Sequence, residues 1–319
     1  MKITSLALAA AIGLTLAACS PKSEAPKEPA AAETAAPAET AKAPGAFSIG
    51  EYQALSLLDG TLEFPNDNKV VGVGKTAEEV AAVLTAAGLP TDKLGLTIEP
   101  LLVKAGDKVL LFDTGAGTNF GPTAGKLGQS LTEAGVEAAS VTDIFISHVH
   151  GDHVGGLVNA DGALVFPNAT VHIGAADWAF LQGLSAENGA KVGVGNPVAL
   201  VTAVTPKVDA FKPGADLVPG VVQAVDIKGH TPGHSGYLIG AGADSVLYIG
   251  DTMHHYVVSV QKPDWTIAFD HDAPTAQKSR AEVLAQSAAS GQRIYAVHFP
   301  YPGLGKFEKR GEEFVWVAE

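Results

Sequence analysis

The chain predicts a mixed α and β body, class α+β, from residue 47 onward. Apolar runs of strand length recur, each closed by Gly, Asp or Pro. Between them lie segments whose apolar residues repeat at helical spacing behind capping residues. The elements fall into two halves of similar β-then-α order, without a domain-length repeat. Hydrophobic residues at 46% and charged residues at 17% describe a well-buried globular body, although 319 residues do not by themselves fix the domain count. A formal net charge of −13 argues against a nucleic-acid partner, which would call for a basic patch.

The first residues read as an address. Lys2 precedes an apolar run from Ile3 to Ala18 that is too short and too rich in small residues for a comfortable membrane span. Leu16-Ala17-Ala18-Cys19 resembles a bacterial lipobox, which makes residues 1–19 a lipoprotein signal peptide and Cys19 the lipidated residue. Cys19 is the only cysteine, so no disulfide and no thiol nucleophile is available to the body. Ser20 after it matches an outer-membrane sorting pattern. The expectation is an exported, membrane-anchored lipoprotein of the periplasm or cell surface. Residues 20–46, rich in Ala, Pro and Glu, cannot bury enough apolar surface to order themselves and read as a disordered tether.

In the body, Phe47–Leu58 and Thr61–Phe64 read as strands about a turn at Asp59-Gly60. Thr76 and Glu79 form a capping box ahead of Val80, Val83, Leu84 and Ala87 at helical spacing. Leu96–Val103 and Lys108–Phe112 suggest a hairpin about Ala105-Gly106-Asp107, closed by Asp113. Leu127 and Leu131 lie on a helix before the apolar run Ile144-Phe145-Ile146. Ala169–Ile173 is a strand, and its lone His172 reads as packing rather than ligand. Trp178 and Phe180 lie on a helix before a polar, Gly-rich stretch, 183–196. Val218–Ile227, Ser245–Ile249 and Arg293–Val297 read as further strands, with a helix bracketed by Asp272, Pro274 and Gly291.

The chemistry concentrates where Ile144-Phe145-Ile146 ends. His148, His150, Asp152 and His153 fall within six positions beside Gly151, followed by Gly155-Gly156. Four ligand-type side chains so close cannot all face one way on a strand or helix, so they belong to a strand-end loop. Imidazole nitrogen with carboxylate oxygen suits zinc or a similar divalent metal. His-x-His followed by Asp-His offers two pairs of ligands able to diverge to two ions.

These residues resemble the metal-binding motif of the metallo-β-lactamase superfamily, and the resemblance runs on through Gly229–His234, Gly250-Asp251-Thr252 and Ala296-Val297-His298. Leu217–Gly220 and Ala296–Gly303 are similar to its methyl parathion hydrolase and quorum-quenching lactonase branch. The resemblance implies an αββα four-layer sandwich over residues 47–319. It implies that His148, His150 and His230 hold one metal and Asp152, His153 and His298 the other, with Asp251 bridging. Two divalent ions are expected, zinc first, with manganese, iron or cobalt open. The implied catalytic residues are Asp152 and Asp251, serving a metal-bridging hydroxide that cleaves a lactone, aryl ester or organophosphate ester. Asp113 and His234 would support the ligands. Phe120, Trp178, Phe180, Phe299 and Tyr301 would line the substrate pocket. His254 and His255 depart from the branch pattern and read as exposed histidines at the mouth.

The partner is then a small apolar ester or lactone, and a homodimer stays open. The cysteine-liganded β-lactamases are excluded because Cys19 lies in the leader. A glyoxalase II-like thioester hydrolase shares the ligands, with Lys306, Lys309 and Arg310 as candidate basic contacts. The alternative of a different class is a non-catalytic zinc-binding surface lipoprotein.

Overall fold

The computed structural model describes residues 45–319. Cys19 and the tether up to residue 44 lie outside the described residues. None of the described helices is long and apolar enough to cross a membrane. The first half contains strands β1 (Ala46–Ile49), β2 (Tyr52–Ser56), β3 (Gly60–Pro65), β4 (Val71–Val73) and β5 (Lys93–Ile98). It continues with β6 (Leu101–Ala105), β7 (Lys108–Phe112), β8 (Asp143–Ile146), β9 (Thr170–Gly174) and β10 (Val208–Phe211). Its helices are α1 (Ala77–Ala86), α2 (Leu127–Glu133), the single turn α3 (Gly151–Val154), α4 (Ala175–Gln182), α5 (Ala186–Lys191) and α6 (Pro197–Val204). The second half runs β11 (Asp216–Val218), β12 (Val222–Asp226), β13 (Ser235–Ile239), β14 (Val246–Tyr248), α7 (Val258–Gln261) and β15 (Thr266–Ile267). It ends with α8 (Ala273–Ser290), β16 (Arg293–Tyr295), β17 (Leu304–Arg310) and β18 (Glu313–Ala318).

Two seven-stranded sheets result, ordered β1-β2-β6-β7-β8-β9-β10 and β11-β12-β13-β14-β16-β17-β18. β7, β8, β9 and β10 are parallel neighbours, and so are β14 and β16. Strands at the centre of such sheets are buried on both faces, which is why β8 is apolar throughout its interior. Alternation sorts its side chains. Phe145 joins Phe112, Tyr237, Tyr248 and Tyr295 in the layer between the sheets. Ile144 and Ile146 face outward under Leu131, Leu181 and Leu200 of α2, α4 and α6. On the second sheet, Ile249, Ile294 and Phe307 pack against Leu284 of α8. Helices therefore cover the outer face of each sheet, giving helix, sheet, sheet and helix layers.

Several expected elements divide. Phe47–Leu58 breaks at the Gly50-Glu51 turn into β1 and β2, and Leu96–Val103 breaks at Glu99-Pro100 into β5 and β6. β5 leaves the main sheet to pair with β3. The Gly-rich stretch 183–196 contains α5, capped by Ser185. Thr76 and Glu79 do form the capping box of α1, and Asp272 caps α8, which stops at Gly291 with φ 69°.

The break at Glu99 leaves a carboxyl with no exposure to solvent. Ser56 Oγ donates to it at 3.3 Å, and its Oε1 has no partner among the described residues. Burial pushes its pKa up to about 8, so the folded chain keeps a proton there that the unfolded chain releases in the ordinary carboxylate range. A raised folded pKa contributes stability below the unfolded value that is lost as pH rises through the folded one. Glu99→Gln should therefore gain on the wild type between pH 5 and pH 9, by at least ~1 kcal/mol. Urea midpoints at the two pH values measure this, and parallel profiles for the two proteins would contradict it.

Candidate metal centre

The site lies where the parallel strands end at their carboxyl edges. β7 ends at Phe112 before Asp113, β8 before Ser147-His148, β14 before Asp251 and β16 before His298. Asp113 has a left-handed backbone, φ 58°, uncommon for a residue with a side chain. It accepts from Ser147 N, Ser147 Oγ, Tyr248 Oη and His153 Nδ1, each at 2.7 Å. Gly151 opens the α3 turn, and any side chain there would meet the carbonyl of Gly193. His234 donates its Nδ1–H to Ile227 O at 2.8 Å, and its Nε2 accepts from Asp251 N at 3.0 Å.

Two ligand clusters form. His148, His150, His230 and Asp251 make one, and Asp152, His153 and His298 the other; ligand atoms within each lie within 4.8 Å of one another. His230 Nε2 stands 3.1 Å from His148 Nε2 and 3.0 Å from His150 Nδ1. Asp251 faces both clusters. Its Oδ1 lies 3.1 Å from His153 Nε2 and 3.0 Å from His298 Nε2, while Oδ2 lies 3.4 Å from His230 Nε2 and 3.7 Å from His148 Nε2. Asp152 Oδ2 is 3.6 Å from both His153 Nε2 and His298 Nε2.

The donor set fits a cation. Burial holds His148 and His230 well below the usual imidazole range and His150 down at about 4, so each ring is neutral at neutral pH and offers one nitrogen lone pair, which for His230 is Nε2 because Asp270 accepts its Nδ1–H. A proton cannot satisfy three converging nitrogens at once, whereas a divalent ion can. His153 Nε2 and Asp251 Oδ1 are buried without a hydrogen-bond partner among the described residues. Burial opposes charge on His153 and His298, yet Asp251 and Asp152 hold both above the usual range. Burial likewise opposes charge on Asp251, yet His153 and His298 hold its carboxyl well below the carboxylate range.

Two carboxylates that the sequence reading passed over position the ligands. Asp270 Oδ1 accepts from His230 Nδ1 at 3.0 Å. Asp177 accepts from Val149 N at 3.2 Å, Thr231 Oγ1 at 2.7 Å and Gly233 N at 2.6 Å, tying both ligand loops to α4. Burial lifts its pKa to about 6. Asp270 was obscured by its place beside Asp272, whose helix cap accounts for an acidic residue without any site.

Beside the clusters opens a cavity of about 400 Å³ walled by Leu62, Phe64, Leu96, Phe120, Phe180 and Phe269. Phe120 and Phe180 stand on that wall as expected. Trp178 does not: it packs on the outer core under α4. Phe299 is also a correction, being fully buried against Trp316 at 4.9 Å. Thr97 O fixes the preceding His298 through Nδ1 at 2.7 Å, and the next side chain turns away into the α8 layer. Tyr301 is 40% exposed and does not line the cavity.

The histidines expected at an exposed mouth are both buried. His255 Nδ1 accepts from Val257 N and Val258 N at 3.2 Å, closing the start of α7, and burial lowers its pKa to about 4. His254 lines the cavity, with Nε2 3.1 Å from Asp251 Oδ2 and neither ring nitrogen hydrogen-bonded among the described residues. The backbone amides of both residues are gathered by Ser259 Oγ, which draws the segment inward.

Fold, buried imidazole clusters and adjoining apolar cavity define a metal-dependent hydrolase. The family model of the metallo-beta-lactamase superfamily matches residues 100–298, and the chain belongs to that superfamily. Among solved structures it is similar to AidC, a dizinc quorum-quenching lactonase in complex with a product. The two are 29% identical with a TM-score of 0.79, over 86% of this chain and 96% of that one. It is also similar to the hydrolase AbOPH, at 27% identity and TM-score 0.77, over 87% and 98% of the two chains. A stretch of 79 residues is 39% identical to ribonuclease Z of Salinibacter ruber, 25% of this chain but 21% of that protein. This chain thus spans about a fifth of that relative.

Chelation should destabilise the fold, because seven converging ligand side chains, most of them buried, then face one another without a cation. At a free divalent cation concentration ~1000-fold above its dissociation constant, the loaded chain should be roughly 4 kcal/mol more stable than the stripped one. Thermal melts with EDTA and with restored zinc report this; coincident melting curves would contradict it.

Proposed function

We propose that this chain hydrolyses lactones at a binuclear zinc centre. The observation that carries the reading is Asp251, with one carboxylate oxygen toward each ligand cluster beside an apolar cavity. His148, His150 and His230 would hold one ion, Asp152, His153 and His298 the other, and Asp251 both. Bound there, the ions would lower the pKa of a coordinated water to roughly 7 and supply Lewis acidity for an ester carbonyl. The imidazole-rich donor set favours zinc, and the similarity to a dizinc lactonase supports both the metal and the substrate class.

The residues then divide the work. Phe120, Phe180 and Phe269 seat an apolar acyl portion and exclude water from it. Water adds to the carbonyl carbon, the ring C–O bond breaks, and the departing alkoxide takes up a proton. Asp152 and Asp251 are the carboxylates in reach to hold that proton. His254, with Nε2 at 3.1 Å from Asp251 Oδ2, is placed to orient the carboxylate or to pass the proton on. Lys306, Lys309 and Arg310, the basic contacts considered for a thioester substrate, do not line the cavity; the lysine on its wall is Lys191.

An acyl-homoserine lactone should be turned over faster than p-nitrophenyl acetate, methyl parathion, S-lactoylglutathione or nitrocefin. A preference for any of these, measured as kcat/KM on the zinc-loaded chain, would replace the lactone reading. Asp251→Asn should lower kcat at least ~100-fold with its circular dichroism unchanged. Full activity in that variant would remove Asp251 from the centre. His254→Gln should lower kcat by about tenfold or more with little change in KM, and an unchanged kcat would leave His254 a packing residue.

A further inference from the structure

The two ligand clusters are not equally supplied with negative charge. The cluster of His153 and His298 has a carboxylate of its own in Asp152, and Asp113 stands behind His153 Nδ1 at 2.7 Å. The cluster of His148, His150 and His230 has only imidazoles, apart from the Asp251 that both clusters share. Behind His148, Ser147 Oγ offers a neutral contact at 3.0 Å. Asp177 holds the loops of this cluster, but the one carboxylate that touches one of its imidazoles from behind among the described contacts is Asp270, on His230 Nδ1 at 3.0 Å.

Asp270 is itself held unusually firmly. Its Oδ2 accepts from Arg280 Nη2 at 2.9 Å, and both side chains are fully buried. Arg280 rises from α8 and makes three further hydrogen bonds to backbone carbonyls: Nε to Thr252 O at 2.9 Å, Nη1 to Pro263 O at 2.9 Å and Trp265 O at 3.1 Å. Thr252 follows Asp251 directly, so one guanidinium grips the partner of His230 and the backbone next to the shared carboxylate. The chain around Asp270 is pinned to the same loop, with His271 N donating to His230 O at 3.0 Å and Asp272 N to Gly229 O at 2.9 Å. Burying an ion pair costs several kcal/mol of desolvation per ion and is weak evidence for stability by itself. Here the pair ends on a metal-ligand imidazole.

We propose that Asp270, clamped by Arg280, is the positioning residue that sets the metal affinity of the His148/His150/His230 subsite. Asp270 keeps the proton of His230 on Nδ1, directs the Nε2 lone pair at the cluster and strengthens that nitrogen as a donor. The other subsite, with Asp152 and Asp113, does not depend on the pair. The inference rests on the metal-binding reading above and adds an order to it: weakening the pair releases one particular ion first.

The test is zinc retention by the full chain in a graded series of zinc buffers, read as ions bound per chain. The wild type should hold two ions, and Asp270→Asn should hold one of them 10–100-fold more weakly while the other is unmoved. His150→Ala and His298→Ala identify the ion. Asp270→Asn should add nothing to His150→Ala but should weaken the ion that remains in His298→Ala by the same 10–100-fold. Arg280→Lys keeps a cation on Asp270 and should weaken the same ion less than Asp270→Asn does. Should Asp270→Asn fail to fold, Arg280→Lys carries the same measurement. Equal weakening of both ions, no weakening of either, or an Asp270→Asn effect that persists in His150→Ala would overturn the proposal. A wild-type chain that retains no zinc in any buffer overturns the metal-binding reading itself, which is a different result from two ions lost together in the variant.

Discussion

Lone pairs that face one another in a largely buried centre impose the constraint on which this structure depends. Imidazole nitrogens stand about 3 Å apart at the centre, and nothing in an apolar interior screens their repulsion. Such an arrangement persists only if the far side of each ring is fixed by something rigid. The chain meets that demand with varied groups: a carboxylate behind His153, another behind His230, and a strand carbonyl behind His298. Each of those groups is in turn held by strands or helices from a different part of the sandwich. The layers of the fold and the precision of the centre are therefore one problem, solved by the same hydrogen bonds.

The ligands themselves were legible in the sequence because they come in short runs with tight spacing. His148 to His153 are compressed by the loop, and His230 is marked by the Pro232-Gly233 turn that follows it. Capping residues located α1 and α8 for a similar reason: a cap acts within one helical turn, so its partners are close in sequence. Long-range support left no such trace. Asp177 reaches Val149 and Thr231 across more than twenty positions in either direction, and Arg280 meets Asp270 only because the start of α8 is pinned to the His230 loop.

The pocket misreadings have a common physical origin. Side chains next to a ligand were expected at the rim, but in the turn after β16 Thr97 O holds His298 toward the centre while Phe299 packs into the layer under α8. Trp178 and Phe180, two positions apart on α4, both touch the outer core, and of the two Phe180 also reaches the cavity. The burial of His254 and His255 follows from Ser259 Oγ gathering their amides, a contact no local pattern announces. Polarity suggested exposure, and backbone hydrogen bonding overruled it.

The division of ligands between the two sheets has a consequence for synthesis. His148 through His153 leave the ribosome long before His298, and Asp251 and His230 belong to the sheet made second. An ion captured early would find part of a coordination shell and no enclosing wall. The centre is complete only once His298 is in place beside Asp251, so a full coordination shell belongs to the finished fold. Discrimination among competing cations in the cell would then be exercised by a finished cage rather than by a nascent loop.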